Sequence, residues 1–151
     1  MIRNKTIQEN LLKTVIFLVN EGVTEFLSGG YGNFDILVAE TVKAIKENYP
    51  YVISTLVIPY MDKEVSTNLY DGSVYPPIET VPKRAAIIKR NMWMVDNSDV
   101  VVGYITNVTG GAFKTYDYAL KRKKQTINLH EFDECNITEK DIINALHSSR
   151  R

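Results

Sequence analysis

The chain has 151 residues, of which 44% are hydrophobic, and its 18 basic and 18 acidic side chains give a formal net charge of +0. This length and composition predict one domain over residues 1–151 with a packed core. The balanced charge argues against a nucleic-acid surface held by bulk electrostatics, and no stretch is long and apolar enough to cross a membrane. The single cysteine, Cys135, has no partner for an internal disulfide, so we expect a reducing, cytoplasmic setting.

Segments with helical and strand-like patterns alternate along the chain. In order, the sequence predicts a helix over 6–21, a strand over 24–27, a helix over 34–48, a strand over 52–58, an aperiodic loop over 59–78, a helix over 81–95, a strand over 99–105, a helix over 113–122, a strand over 125–129 and a helix over 138–147. Asn33 and Thr138 are the expected N-caps of the second and the last helix. Strands that alternate with helices predict an α/β fold with a doubly wound parallel sheet.

Two glycine turns, each between a strand and a helix, are the strongest functional signal. The first contains Gly29, Gly30 and Gly32, and the second contains Gly110 and Gly111. Glycine lets the backbone approach a ligand closely, and a helix start offers N–H groups and the positive end of its dipole. Two such turns at the carboxyl edge of one parallel sheet predict a site for a phosphate-bearing small molecule. Tight packing of the strand against the helix is the alternative interpretation of each turn.

Polar and aromatic side chains near the turns are candidates for ligand contacts. Asp35 could accept a hydrogen bond from a ribose hydroxyl or act as a general base, or it could only complement the helix dipole. Arg90 could make a bidentate hydrogen bond to a phosphate, or it could belong to a solvated helix face. Tyr31 and Tyr75 could stack on a base, or they could pack onto the core. The remaining polar candidates are Asn33, Arg84, Asn91, Thr109 and Thr115.

The two histidines, His130 and His147, lack the spacing of metal ligands, so we expect neither a metal site nor another cofactor.

The order of several short motifs resembles the SLOG superfamily. These motifs are Gly-Gly-Tyr-Gly-Asn-Phe-Asp (29–35), Val-Pro-Lys-Arg (81–84), Lys-Arg-Asn-Met-Trp-Met (89–94), Ser-Asp-Val-Val-Val (98–102), Gly-Gly-Ala (110–112) and Lys-Gln-Thr-Ile-Asn-Leu (124–129). The superfamily consists of Rossmann-like domains and includes the lonely-guy phosphoribohydrolases. Small SLOG proteins of Gram-positive bacteria and their phages are the members that this chain resembles over residues 6–130.

The resemblance implies a nucleotide-type ligand at the two glycine turns, with Arg90 at the place of the arginine that lonely-guy enzymes carry. In those enzymes two glutamates follow the second turn and act in substrate binding and in cleavage of the base–ribose bond. With one residue inserted, Thr115 matches the threonine of that turn, Asp117 stands at the first glutamate position and Tyr118 at the second. The carboxylate pair is therefore broken. If the chain is an enzyme, Asp35 and Asp117 are its catalytic candidates.

The resemblance also implies a strand ahead of the first helix, and this chain begins at that helix unless residues 1–5 take its place. A sheet without its central strand leaves backbone groups to be paired. The first helix also carries an apolar stripe that needs cover. A homodimer or higher homo-oligomer is the simplest remedy for either problem.

Two functions fit these observations. The first is a binding module that recognises or sequesters a nucleotide-derived signal, such as an ADP-ribose-like molecule or a cyclic nucleotide. Superfamily members serve as ligand sensors in antiviral systems, and a phage-borne version could act as an anti-defence sponge. The alternative is an N-glycosidase that acts on nucleoside 5′-monophosphates, with Arg90 on the phosphate.

Overall fold

A computed structural model of the chain describes residues 5–30, 32–59, 68–77 and 82–148. Helices and strands alternate as the sequence predicts, and the expected α/β fold with parallel strands is confirmed. The elements are α1 (Lys5–Asn20), β1 (Glu25–Ser28), α2 (Gly32–Ile45), β2 (Ile53–Val57), β3 (Gly72–Val74), α3 (Lys83–Asp96), β4 (Val100–Gly103), α4 (Gly111–Lys121), β5 (Gln125–Asn128), a 3-10 turn (Leu129–Phe132) and α5 (Glu139–Ser148).

The parallel strands form two separate sheets. One has the order β1-β2-β3, with Glu25 opposite Ile53, and the other pairs β4 with β5, with Val100 opposite Gln125. Within the described ranges, β1 and β4 are not hydrogen-bonded to each other, so each is an edge strand. Lys5 is the first residue of α1, and residues 1–4 lie outside the described part of the chain.

Strand β3 lies inside the segment that the sequence predicts to be a loop. It has three residues and pairs with β2 so that Thr55 faces Gly72. Asp71 extends this pairing: its N–H donates to the Ser54 carbonyl at 2.8 Å, and its carboxylate accepts from the Ser54 N–H at 2.7 Å. Lys46 at the end of α2 donates to the same carboxylate at 2.9 Å. A side chain of the loop therefore completes the ladder, which periodicity alone does not reveal.

The helices at the two glycine turns begin earlier than predicted. Helix α2 begins at Gly32, so Asn33 lies within its first turn and is not its N-cap. Helix α4 begins at Gly111, two residues earlier than predicted, so the second glycine turn runs directly into the helix. The predicted cap of α5 is confirmed, because the Asp141 N–H donates to Thr138 Oγ1 at 3.1 Å and the Thr138 N–H donates back to Asp141 Oδ2 at 3.0 Å.

The core is built on the apolar stripe of α1, which packs against α2, α5 and the 3-10 turn. Buried Asn10 fixes this contact: its Nδ2 donates to the carbonyls of Phe132 and Cys135 at 3.0 Å, and its Oδ1 accepts from the Ile137 N–H at 2.9 Å. The stripe is thus covered within one chain, so it does not by itself require a second subunit. Its buried members are Ile7, Leu11, Val15, Leu18 and Val19.

Candidate functional site

The first glycine turn leaves the carboxyl end of β1 and enters α2. Gly30 has a φ of +75°, and a Cβ built on it would lie 2.6 Å from Leu56 Cδ1, so another residue would be strained there and would displace a core side chain. A Cβ on Gly29 would lie 2.9 Å from the guanidinium carbon of Arg90. Close packing therefore accounts for both glycines. Tyr31, a sequence candidate for base stacking, lies outside the described residues.

Arg90 holds this turn in place by a hydrogen bond to its backbone. Helix α3 brings it beneath the ends of β1 and β2, where it is only 2% exposed. Its Nη1 donates to the carbonyls of Gly29 and Val57, each at 2.9 Å, and its Nε donates to Asn91 Oδ1 at 2.9 Å. These bonds tie α3 to the three-stranded sheet. The predicted contact between Arg90 and a ligand phosphate stays a prediction.

The second glycine turn leaves β4 and enters α4. Gly110 precedes the helix with a φ of +96°, a conformation that L residues rarely adopt. Gly111 is the first helical residue, and no heavy atom lies within 4 Å of a Cβ built there. The Thr115 hydroxyl donates a hydrogen bond to the Gly111 carbonyl at 2.8 Å, within the helix backbone. Because Gly111 has no side chain, the space beside the first turn of α4 is open.

One large cavity joins the two turns. It lies between β1 and β4 and has a volume of about 1210 Å³. The starts of α2 and α4 both border it, although they are far apart in sequence. Eight of the sequence candidates line this cavity: Gly29, Gly32, Asn33, Asp35, Arg90, Asn91, Gly111 and Thr115.

Other candidates lie away from the cavity lining. Arg84 is exposed on α3, and Tyr75 is 38% exposed after β3. Asp117 forms an ion pair with Lys121 one turn along α4, at 2.9 Å. Gly30, Thr109 and Gly110 belong to the turns but do not border the cavity. Of the two catalytic candidates, the structure thus brings only Asp35 to the cavity.

Tyr118 lies at the contact between α3 and α4, where its hydroxyl group is hydrogen-bonded. Its hydroxyl donates to the Asp96 carboxylate at 2.8 Å, and this bond raises its pKa above the usual value. Arg122 pairs with the same carboxylate at 3.2 Å. Tyr118 therefore takes part in the packing of α3 against α4.

An aromatic wall beside the first turn was missed by sequence reasoning. Tyr104, just after β4, stacks on Phe34 of α2 with ring centroids 6.0 Å apart, and both residues line the cavity. The Tyr104 hydroxyl donates to Asp133 Oδ2 at 2.7 Å, and His130 Nδ1 lies 2.7 Å from the same oxygen. Burial, together with the Asp133 carboxylate, raises the pKa of Tyr104 to about 12. A tyrosine directly after the most apolar strand was the signal that could have identified it.

Tyr70 also lies at the first turn. Its hydroxyl would be 3.7 Å from a Cβ on Gly30. Burial raises the pKa of Tyr70, a hydrogen bond with Ser28 lowers it, and the nearby charge of Asp35 raises it.

Within the described ranges, no three His, Cys, Asp or Glu side chains are grouped so that they could hold a metal ion. None of the helices in the same ranges has the length and apolar character needed to span a membrane. No protein-family model matches the chain, and no curated protein sequence matches it.

Proposed function

We propose that this chain is a SLOG-type binding module that recognises or sequesters a small nucleotide-derived ligand, such as an ADP-ribose-like molecule or a cyclic nucleotide. The observation that carries the proposal is that two helix starts, at Gly32 and at Gly111, border one cavity. Each helix start presents N–H groups and the positive end of a dipole, and both favour phosphate. Two phosphate-binding helix ends in one cavity suit a ligand with more than one charged group.

The size and walls of the cavity support a nucleotide. Its volume of about 1210 Å³ exceeds the ~300–1,000 Å³ of most small-molecule sites, so a nucleotide would fit and would fill only part of it. The stacked pair of Phe34 and Tyr104 offers an aromatic surface against which a base could pack. Asp35 borders the cavity, and its carboxylate can accept hydrogen bonds from ribose hydroxyls.

The positions of the acidic residues favour binding over cleavage. A glycosidase of the usual kind needs two carboxyl groups on opposite sides of the bond that breaks. Asp117 is paired with Lys121, and the residue after it is a tyrosine bonded to Asp96. Asp35 is therefore the only one of the two proposed catalytic carboxylates in the cavity. A role in antiviral signalling, or as a sponge that removes the signal, rests on the superfamily resemblance.

Mass spectrometry of small molecules released from the denatured protein tests the proposal. We expect a phosphate-bearing nucleotide derivative, bound in near-stoichiometric amount and recovered intact. Calorimetry with ADP-ribose, cyclic nucleotides and the matching nucleosides then gives the selectivity for phosphate. If no nucleotide is recovered and none binds at millimolar concentration, the proposal is wrong.

A second assay separates the enzyme from the binding module. The protein is incubated with nucleoside 5′-monophosphates, and free base is measured by chromatography. If free base is released by the wild type and this release is lost in both Asp35→Asn and Asp117→Asn, the chain is an N-glycosidase and the binding-module proposal is wrong. We expect no release above the rate of the buffer control.

A further inference from the structure

Tyr104 is held from two directions at the carboxyl end of β4. Its hydroxyl donates to Asp133 Oδ2 at 2.7 Å. The backbone of the next residue, Ile105, is held by Asn128 at the end of β5: the Ile105 N–H donates to Asn128 Oδ1 at 2.9 Å, and Asn128 Nδ2 donates to the Ile105 carbonyl at 3.2 Å. The main chain beside the Tyr104 ring and the far end of its side chain are both bonded, so this network fixes the orientation of the ring.

Asp133 lies on a turn that is itself bonded to the core. Buried Asn10 of α1 donates from its Nδ2 to the carbonyl of Phe132, directly before Asp133, and to the carbonyl of Cys135, two residues after it, each at 3.0 Å. The backbone on both sides of Asp133 is therefore tied to α1. The carboxylate that accepts from Tyr104 is thus attached to the most buried helix of the chain.

The carboxylate of Asp133 is retained at an energetic cost. Its Oδ2 accepts from Tyr104 and lies 2.7 Å from His130 Nδ1. Within the described part of the chain, its buried Oδ1 has no hydrogen-bond partner. An unpaired buried oxygen destabilises a fold, so packing alone would favour an apolar side chain at this position. The bonds through Oδ2 are therefore what this carboxylate contributes.

The ring that Asp133 holds forms one wall of the cavity together with Phe34. The two ring centroids are 6.0 Å apart and the ring planes differ by 23°, which is an offset stack in which neither ring fully covers the other. Both residues line the cavity, and Phe34 directly precedes Asp35 in the first turn of α2. A base that packs on this wall can therefore stay attached to a ribose beside Asp35.

We propose that Asp133 is a positioning residue that holds Tyr104 as the base-stacking wall of the site, and that this wall selects ligands with a purine base over ligands with a pyrimidine. The inference rests on the proposed nucleotide-binding function and adds the class of base to it. Tyr104 contacts the base, whereas Asp133 acts only through Tyr104. A bicyclic purine overlaps more of the two offset rings than a single-ring pyrimidine does, so the purine gains more stacking energy.

Calorimetry on the full chain measures this selectivity. The ligands are ADP-ribose, CDP-ribose and ribose 5-diphosphate, which has no base, and cyclic AMP and cyclic CMP form a second purine–pyrimidine pair. In the pair that binds more tightly, we expect the purine compound to bind about tenfold more tightly than the pyrimidine compound. We expect ribose 5-diphosphate to bind more weakly than either nucleoside diphosphate ribose.

Two variants of Tyr104 separate the ring from its hydroxyl. Tyr104→Leu removes the ring, so the ratio of purine to pyrimidine affinity should fall to about twofold or less, while the affinity for ribose 5-diphosphate stays within about twofold of the wild type. Tyr104→Phe keeps the ring and loses the bond to Asp133. We expect an intermediate ratio of about threefold for this variant, because the ring is present but no longer fixed.

Variants of Asp133 test the positioning role. Asp133→Ala should lower the ratio to the value of Tyr104→Phe, and the combined variant should lower it no further, because both changes remove the same bond. Asp133→Asn keeps an acceptor for the Tyr104 hydroxyl, so its ratio should stay within about twofold of the wild type. Glu134→Ala, at the exposed next residue, is the matched control. Both affinities in a ratio are measured on one sample, so partial unfolding of a variant lowers them by the same factor and leaves the ratio unchanged.

Three outcomes would overturn the inference and leave the proposed function intact, because nucleotides bind in all three. The wild type binds purine and pyrimidine compounds equally, Tyr104→Leu weakens all three ligands by the same factor, or Asp133→Asn loses as much selectivity as Asp133→Ala. If none of the ligands binds the wild type at millimolar concentration, the proposed function is wrong and this inference is wrong with it.

Discussion

At the scale of single residues, Gly111 offers the cleanest test of the nucleotide site. A side chain there would meet open space, and the backbone is not in the left-handed region, so Gly111→Val should leave the fold intact. The added methyl groups would cover the first-turn N–H groups of α4. We expect at least a tenfold loss of affinity for ADP-ribose or a cyclic nucleotide, measured by calorimetry.

Gly72→Val is the matched control for this variant. Gly72 also has open space around its Cβ position, and it lies in β3, away from the cavity lining. If Gly111→Val and Gly72→Val bind the nucleotide with equal affinity, the second turn is not part of the site. A similar change at Gly110 would be less informative, because its positive φ adds backbone strain.

Arg90 should contribute strongly to stability. Arg90→Ala would leave the buried carbonyls of Gly29 and Val57 without this donor, and we expect the free energy of unfolding to fall by about 3 kcal/mol in urea denaturation. Arg84→Ala, on the exposed side of the same helix, should change it by less than about 0.5 kcal/mol.

Arg90→Lys then tests the predicted contact with phosphate. If Arg90 meets a phosphate, the ratio of nucleotide to nucleoside affinity falls in this variant. If the variant is less stable but keeps the wild-type ratio of nucleotide to nucleoside affinity, Arg90 only stabilises the ends of β1 and β2 and does not contact phosphate.

At the scale of elements, Asp71 controls the attachment of β3. Its pKa lies below the usual 3.8, first because its carboxylate accepts from the Ser54 N–H and then because Lys46 donates to it. A carboxyl group with a lowered pKa binds fewer protons in the folded state. Its contribution to stability is therefore complete above about pH 4 and is lost as the pH falls through the lower, folded pKa.

We expect Asp71→Ala to lower the free energy of unfolding by about 1 kcal/mol or less at pH 7, because solvent screens a carboxylate that is 37% exposed, and by still less below pH 3, as measured by urea titrations over a pH series. Asp117→Ala is the control, because it removes only an exposed ion pair with Lys121. A difference that does not change between pH 7 and pH 3 would show that the charge of Asp71 has no part in holding β3.

The sequence predicted the elements whose patterns are local. The end of α1 at Gly22 and the N-cap at Thr138 are examples, because each depends on residues within a few positions. Strand β3 could not be predicted, since it pairs through a side chain of the loop and has only three residues. The glycine turns were found from spacing, but the burial of Arg90 and the aromatic wall at Tyr104 depend on contacts between distant segments.

At the scale of the whole molecule, the open edges of β1 and β4 bear on the predicted homo-oligomer. One chain already covers the apolar stripe of α1, and within the described residues β1 and β4 are not paired with each other, so these two strand edges are the remaining reason to associate. We expect light scattering at micromolar concentration to give a mass above the 17.2 kDa of one chain. A mass of one chain with a cooperative thermal transition would contradict the oligomer.

The bonds of Asn10 also set an order of events during synthesis. Its side chain pairs with the backbone at Phe132, Cys135 and Ile137, more than a hundred residues downstream of α1. At a translation rate of roughly 5–20 residues per second, α1 leaves the ribosome roughly 6–25 seconds before these partners exist. During that interval α1 can pack against α2, but the part of its apolar stripe that contacts the 3-10 turn and α5 stays uncovered. The first helix to be made therefore completes its native packing late.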